Sequence, residues 1–139
     1  MSASNSDTLR RFIETVWNQD DLDAIGGFLA PAYEIRHDPG DPWNGKTLDA
    51  AGLTDRIRVS RAPFPDQRFT ILHCFENGND VAIFWDWKAT HQGDIAGFPA
   101  TGKTIAMSGA TIYFFEDGKI AGHWQVADRL GVMQQLAKR

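Results

Sequence analysis

Two dipeptides, Asn77-Gly78 and Asp117-Gly118, each stand between long runs of apolar and β-branched residues. Such pairs tolerate the positive φ of a tight two-residue turn, so each run-turn-run unit reads as a β-hairpin. The first predicts strands over Phe69 to Phe75 and Val81 to Thr90, the second over Ile105 to Phe115 and Lys119 to Val126. Gly93, Gly97, Pro99 and Gly102 fill the gap between them, so the second half reads as an antiparallel meander.

The first half has another period. Leu9, Phe12, Ile13, Val16 and Trp17 follow the i, i+3, i+4, i+7, i+8 spacing of one helical face, with Ser6 or Asp7 as N-cap. A short second helix is predicted from Leu22 to Leu29, ended by Pro31, followed by a strand from Tyr33 to His37. Asp38 to Gly45 is dense in turn formers, which makes Asp38 and Asp41 exposed loop residues. A third helix runs from Thr47 to Arg61, stopped by Pro63 and Pro65, and a last one from Asp128 to Leu136. Helices first and antiparallel strands after define an α+β domain whose helices cover one face of a curved sheet around an apolar pocket. The expectation is a single domain over residues 1–139, with 1–5 flexible.

Composition narrows the function classes. The formal charge is −4 and the basic residues are dispersed, which gives nucleic acid no basic stripe to bind. Cys74 is the only cysteine, so no intrachain disulfide forms. No apolar run approaches the roughly 20 residues that cross a bilayer, and the expected location is cytoplasmic. The four histidines show no metal-ligand spacing. Gly97 to Lys103 superficially resembles a phosphate loop but lies between strands and not before a helix, so no metal or cofactor is expected.

Strand alternation sorts the candidate site residues into sets. Ala121, His123 and Gln125 share one face; Met107, Gly109, Thr111 and Tyr113 share another; Val81, Ile83, Trp85, Trp87, Ala89 and His91 form a third set. His123 is the candidate proton carrier, because imidazole alone titrates near neutral pH; its alternative is a structural histidine. His37, beside the turn-rich loop, is a candidate to reach over the pocket mouth or to brace that loop. His91 is expected at the pocket rim. Trp17, Phe28, Trp85, Trp87, Met107 and Trp124 are expected to offer flat apolar surface to a small hydrophobic molecule.

The order and spacing of several segments resemble a known family. They are Phe64-Pro65-Asp66, Trp87 through Thr90-His91, Gly93 to Gly97, Pro99-Ala100-Thr101-Gly102-Lys103, Asp117-Gly118-Lys119-Ile120, His123-Trp124, Asp128, Gly131 and Gln135-Leu136. Together they resemble the SnoaL-like polyketide cyclases and ester cyclases of the nuclear-transport-factor-2-like superfamily. The resemblance implies a cone-shaped α+β fold, homodimerisation, and a cofactor-free intramolecular aldol-type ring closure or related proton transfer. In the family the acid/base carboxylate lies two residues after the last-strand histidine, a position held here by Gln125, whose amide cannot exchange a proton near neutral pH. Tyr113 stands where a second histidine is expected and can donate a hydrogen bond to an enolate. Asp128 is the carboxylate of the terminal motif, either a substitute acid/base or the cap of the last helix. Without a catalytic carboxylate the same fold serves as a binding protein; with one, epoxide opening or dehydration is also open. The dimer is expected to use the convex sheet face, through Phe69, Ile71, Phe75 or Phe114.

Overall fold

A computed structural model describes residues 4–138. Helix α1 (Asn5–Phe12) is capped by Ser4, whose side chain accepts the Asp7 N–H; the cap is therefore earlier than Ser6 or Asp7. Of the expected flexible segment 1–5, residues 1–3 lie outside the described residues, while Ser4 and Asn5 start the helix. The helix widens into a π-helical stretch, Ile13–Asn18, closed by Gln19 N–H to Glu14 O. The Trp17 carbonyl is taken by Arg61 Nη1 at 2.6 Å. The predicted second helix is a 3₁₀ segment, Leu22–Gly27, and Leu29 already belongs to β1 (Leu29–His37). β2 (Thr47–Leu48) precedes α2 (Ala50–Arg61), which starts later than predicted because Asp49 caps it. β3 (Arg68–Asn77), β4 (Asp80–Thr90), β5 (Thr104–Glu116), β6 (Lys119–Ala127) and α3 (Arg129–Ala137) complete the chain.

One six-stranded sheet has the order β2-β1-β6-β5-β4-β3. The meander is antiparallel throughout, and β1 joins it parallel to β6. Both hairpins form, though with different turns. Asp117 and Gly118 have φ of 49° and 76°, the doubly positive pattern of a type I′ turn. In the first hairpin Asn77 pairs with Asp80, so Gly78 and Asn79 are the central residues and only Gly78 has positive φ. Gly122, at φ 153°, lets β1 approach β6: a Cβ there would lie 2.2 Å from Glu34 O.

The three predicted residue sets face the same way wherever pairing is regular; Ala121 alone stands at a register shift, opposite neither Phe114 nor Phe115. In register, Tyr113 sits between Val81 and His123, Thr111 between Ile83 and Gln125, and Gly109 between Trp85 and Ala127. α1, its π-helical extension and α2 cover this inner face, and Leu9, Phe12, Trp17, Leu53, Ile57, Val81, Trp85 and Ile105 form the core. Phe69 and Ile71 belong to this face and not, as expected, to the convex one. Phe69 packs edge-on against Trp17 and Trp85 at 5.4 and 5.0 Å. Leu72 points outward by simple alternation, and a register shift between Ile71 and His73 turns Phe75 to the outside as well. Among the described residues no helix is long and apolar enough to cross a membrane.

Candidate functional site

A charged residue on an apolar helix face needs a buried partner. α2 buries Leu53, Arg56 and Ile57, and Arg56 finds two partners in the loop after β1. Its Nη2 lies 3.0 Å from Asp38 Oδ2 and 2.9 Å from Asp41 Oδ2. Asp38 is fully buried, which corrects its reading as an exposed turn residue. The loop does turn as predicted, with Asp41 N–H to Asp38 O and Asn44 N–H to Asp41 O, but its carboxylates point inward. Asn44 fixes the loop by accepting the Asp38 N–H at 2.6 Å, and Asp41 accepts the Trp43 N–H at 2.8 Å.

β6 and α3 supply the remaining partners of Asp38. His123 Nε2 is 2.8 Å from Oδ2, Gln125 Nε2 is within 3.3 Å of both oxygens, and Arg129 Nη2 is 2.8 Å from Oδ1. Two carboxylates thus face two guanidiniums, and Asp38 accepts from four side chains. Gln125 extends the network: Thr111 Oγ1 donates to its Oε1 at 2.6 Å and receives Trp85 Nε1–H at 2.9 Å. Gly109 makes this placement of Trp85 possible, since a Cβ there would lie 2.3 Å from the indole. On the other side, Tyr33 Oη is 2.5 Å from His123 Nδ1.

Burial is the largest influence on His123 and depresses its pKa despite the opposing bond to Asp38. Burial alone would raise Asp38, yet the His123 bond and the charges of Arg129 and Arg56 outweigh it and hold Asp38 below the ordinary carboxylate value. These shifts define one protonation pattern: a neutral imidazole donates Nε2–H to ionised Asp38 and accepts the Tyr33 phenol at Nδ1. Burial first of all raises the pKa of Tyr33 and of Tyr113, so both are neutral phenols.

Both depressed pKa values act on stability with the same sign. Below the unfolded imidazole pKa of about 6.5 the unfolded chain binds a proton that native His123 resists, so stability falls with pH. Asp38 repeats this below the unfolded carboxylate value of about 3.9. The urea midpoint is expected to decline from about pH 6.5 and again below about pH 4, with His123→Gln flattening the first stage. A wild-type midpoint unchanged between pH 7 and 5 would contradict a neutral His123.

The other nominated residues divide. Tyr113 stands opposite His123, ring centroids 6.0 Å apart. Trp17, Trp85 and Trp87 are buried on the inner face, packed against Phe69 and Phe64, and Met107 is half-buried beside them. Phe28 packs edge-on against Phe12 at 5.6 Å. His91 is fully buried, not at a rim. His37 does not reach over the interior. It stacks on Trp124 with centroids 4.4 Å apart, and Trp124 lies exposed on the outer face, away from any inner pocket. Asp128 caps α3 through the Gly131 N–H at 2.9 Å and stays outside the network. Asp38, Tyr33, Arg56 and Arg129 went unnominated. Among the described residues no three His, Cys, Asp or Glu side chains gather as metal ligands. A groove of about 450 Å³ lies on the outer face between Leu72, Phe84, Ala110 and Val126, and it is not where the titratable groups converge.

Helices laid into a curved sheet, with a buried polar cluster on the sheet's inner face, place the chain in the nuclear-transport-factor-2-like class of folds. The profile described as SnoaL-like polyketide cyclase matches residues 7–136, and the chain belongs to that family. A candidate polyketide cyclase from Acidithiobacillus ferrooxidans is 49% identical, with TM-score 0.91 over 98% of this chain and 97% of its own. IdmH from Streptomyces antibioticus, also described as a candidate polyketide cyclase, is 28% identical with TM-score 0.84, covering 98% and 100%. AclR from Streptomyces galilaeus, a candidate hydroxylase, is 21% identical with TM-score 0.79, covering 97% and 96%, and shows the fold alone. No curated protein matches the chain.

Proposed function

We propose that this chain is a cyclase-type enzyme that moves protons on an apolar, carbonyl-bearing small molecule, closing a ring by an intramolecular aldol step or a related transfer. The hydrogen-bonded chain Tyr33–His123–Asp38 on the inner face carries this reading. Tyr33 Oη takes a proton from the carbon beside the carbonyl while its own proton passes to His123 Nδ1. The products are an enolate, a neutral phenol and an imidazolium paired with Asp38; the reverse transfer returns the proton. Tyr113, opposite His123, donates to the enolate oxygen, and Gln125 holds Asp38 in place of the missing family carboxylate. The assay is deuterium wash-in beside the carbonyl of aryl β-diketones and β-keto esters in D₂O, read by NMR. Exchange above the buffer rate supports the enzyme; tight binding of the same panel with no exchange sinks it.

A second reading, a non-catalytic binding protein, draws support from the saturation of the network: Asp38 has four donors and both His123 nitrogens are engaged. The same assay decides between them. A cytoplasmic location belongs to this proposal, supported by the lone thiol of Cys74.

Self-association through the outer sheet face is also proposed. Leu72, Phe75, Phe84, Trp124 and Val126 are 40–59% exposed on that face, a contiguous apolar patch of the kind that marks an interface. Phe75 is the member of the expected set that lies open there, while Phe114 is covered by the Arg36 guanidinium at 3.8 Å. Light scattering at micromolar concentration is expected to give a dimer mass that Phe84→Glu halves; a wild-type monomer would remove the proposal.

A further inference from the structure

His91 follows β4 at the opposite end of the inner face from Val81, which shares the row of Tyr113 and His123. The Thr101 backbone N–H points to its Nδ1 at 3.2 Å, and Thr101 Oγ1 lies 2.9 Å from the same atom. Nδ1 is therefore an acceptor, and the neutral ring carries its proton on Nε2. Nε2 has no hydrogen-bond partner, alone in this among the buried side-chain nitrogens and oxygens of the described residues. An unpaired buried donor is a standing cost to the fold, because it has given up its water and gained nothing in return. Holding Thr101 requires only the Nδ1 acceptor, so that contact leaves the Nε2–H without a role. The ring rests against Phe64, centroids 5.5 Å apart, and Phe64 meets Trp87 edge-on at 4.9 Å.

We propose that His91 Nε2–H anchors a ketone or quinone oxygen of the bound molecule at this aromatic end of the interior. The inference rests on the reading that the interior takes an apolar carbonyl compound, and it narrows that class. The molecule is elongated, with one oxygen held by His91 and its reacting carbon near Tyr33 and His123.

The test compares 9-fluorenone with fluorene, which has the same tricyclic frame without the oxygen. Binding is followed by tryptophan fluorescence and by the His91 Nε2 resonance of ¹⁵N-histidine-labelled protein. Wild type is expected to bind fluorenone about 2- to 10-fold more tightly than fluorene, the worth of one neutral hydrogen bond, with a shift of that resonance. His91→Asn, which keeps an acceptor for Thr101, is expected to bind both alike. Equal wild-type affinities with an unmoved resonance, or a preference that survives in His91→Asn, would overturn the anchor while leaving the apolar interior standing. If wild type binds neither compound, the ligand-binding reading itself falls and takes the anchor with it. Should His91→Asn fail to fold, the wild-type comparison and resonance still decide.

Discussion

His123→Gln is expected to slow deuterium exchange beside the substrate carbonyl by about 10²- to 10⁴-fold, the usual worth of a positioned acid/base group. Glutamine is the informative replacement because its amide nitrogen falls near the imidazole Nε2 and still donates to Asp38. What it removes is the basic nitrogen facing Tyr33. The network then keeps its donors, and binding of the same diketone, followed by tryptophan fluorescence, should be preserved. Tyr33→Phe separates two routes for the proton. If the phenol relays it, as the 2.5 Å contact implies, Tyr33→Phe loses exchange to a similar degree. If Nδ1 acts directly, removal of the phenol frees that nitrogen and exchange persists. Wild-type exchange rates in His123→Gln would eliminate His123 as the base.

The contrast between what the sequence told and what it hid has a local cause. Strand alternation grouped His123 with Gln125, Thr111 with Tyr113, and Trp85 with Trp87 correctly within their own strands, because a period of two survives wherever pairing is regular; that the three sets share one face came only with the register between strands. It failed at two interruptions. His37 shares parity with Tyr33 and Ile35, but a register shift between Ile35 and His37 turns it onto Trp124. Phe75 shares parity with Phe69 and Ile71, and the shift before His73 sends it outward. One inserted residue reverses every later side chain, and nothing in the composition of these strands marks the insertion.

Asp38 was hidden for another reason. Asp-Pro-Gly is a strong local turn signal and the turn is there, so the backbone reading held while the side-chain reading did not. Its direction is set by Arg56, eighteen positions away, and by Arg129 and His123 from the far end of the chain. A signal did exist. Leu53, Arg56 and Ile57 share one helical face, and a guanidinium between two buried aliphatic residues demands a buried carboxylate. Tyr33, alternating with Ile35 on the strand that leads to Asp38, then completes the set.

Arg56→Met follows from the same demand and should destabilise the fold by about 3–5 kcal/mol, the cost of leaving a buried charge without its partner. Methionine nearly fills the volume, so the loss is electrostatic. Asp38 would keep Arg129, His123 and Gln125, but the one cation left beside Asp41 would be Arg129, at 3.7 Å. Arg129→Met should cost less, because that side chain is 31% exposed and water can replace it. The penalty at Arg56 should also shrink in acid. Without the guanidinium, the pKa of Asp38 rises, so the carboxylate takes up a proton at a higher pH than in wild type and the uncompensated charge disappears. Urea denaturation of both proteins at pH 7 and pH 4.5 measures this directly. A penalty under about 1 kcal/mol, as for a surface pair, would mean that the cluster is solvated. A penalty equal at the two pH values would mean that methionine acts through packing alone, and that the buried charges do not govern the stability of this site.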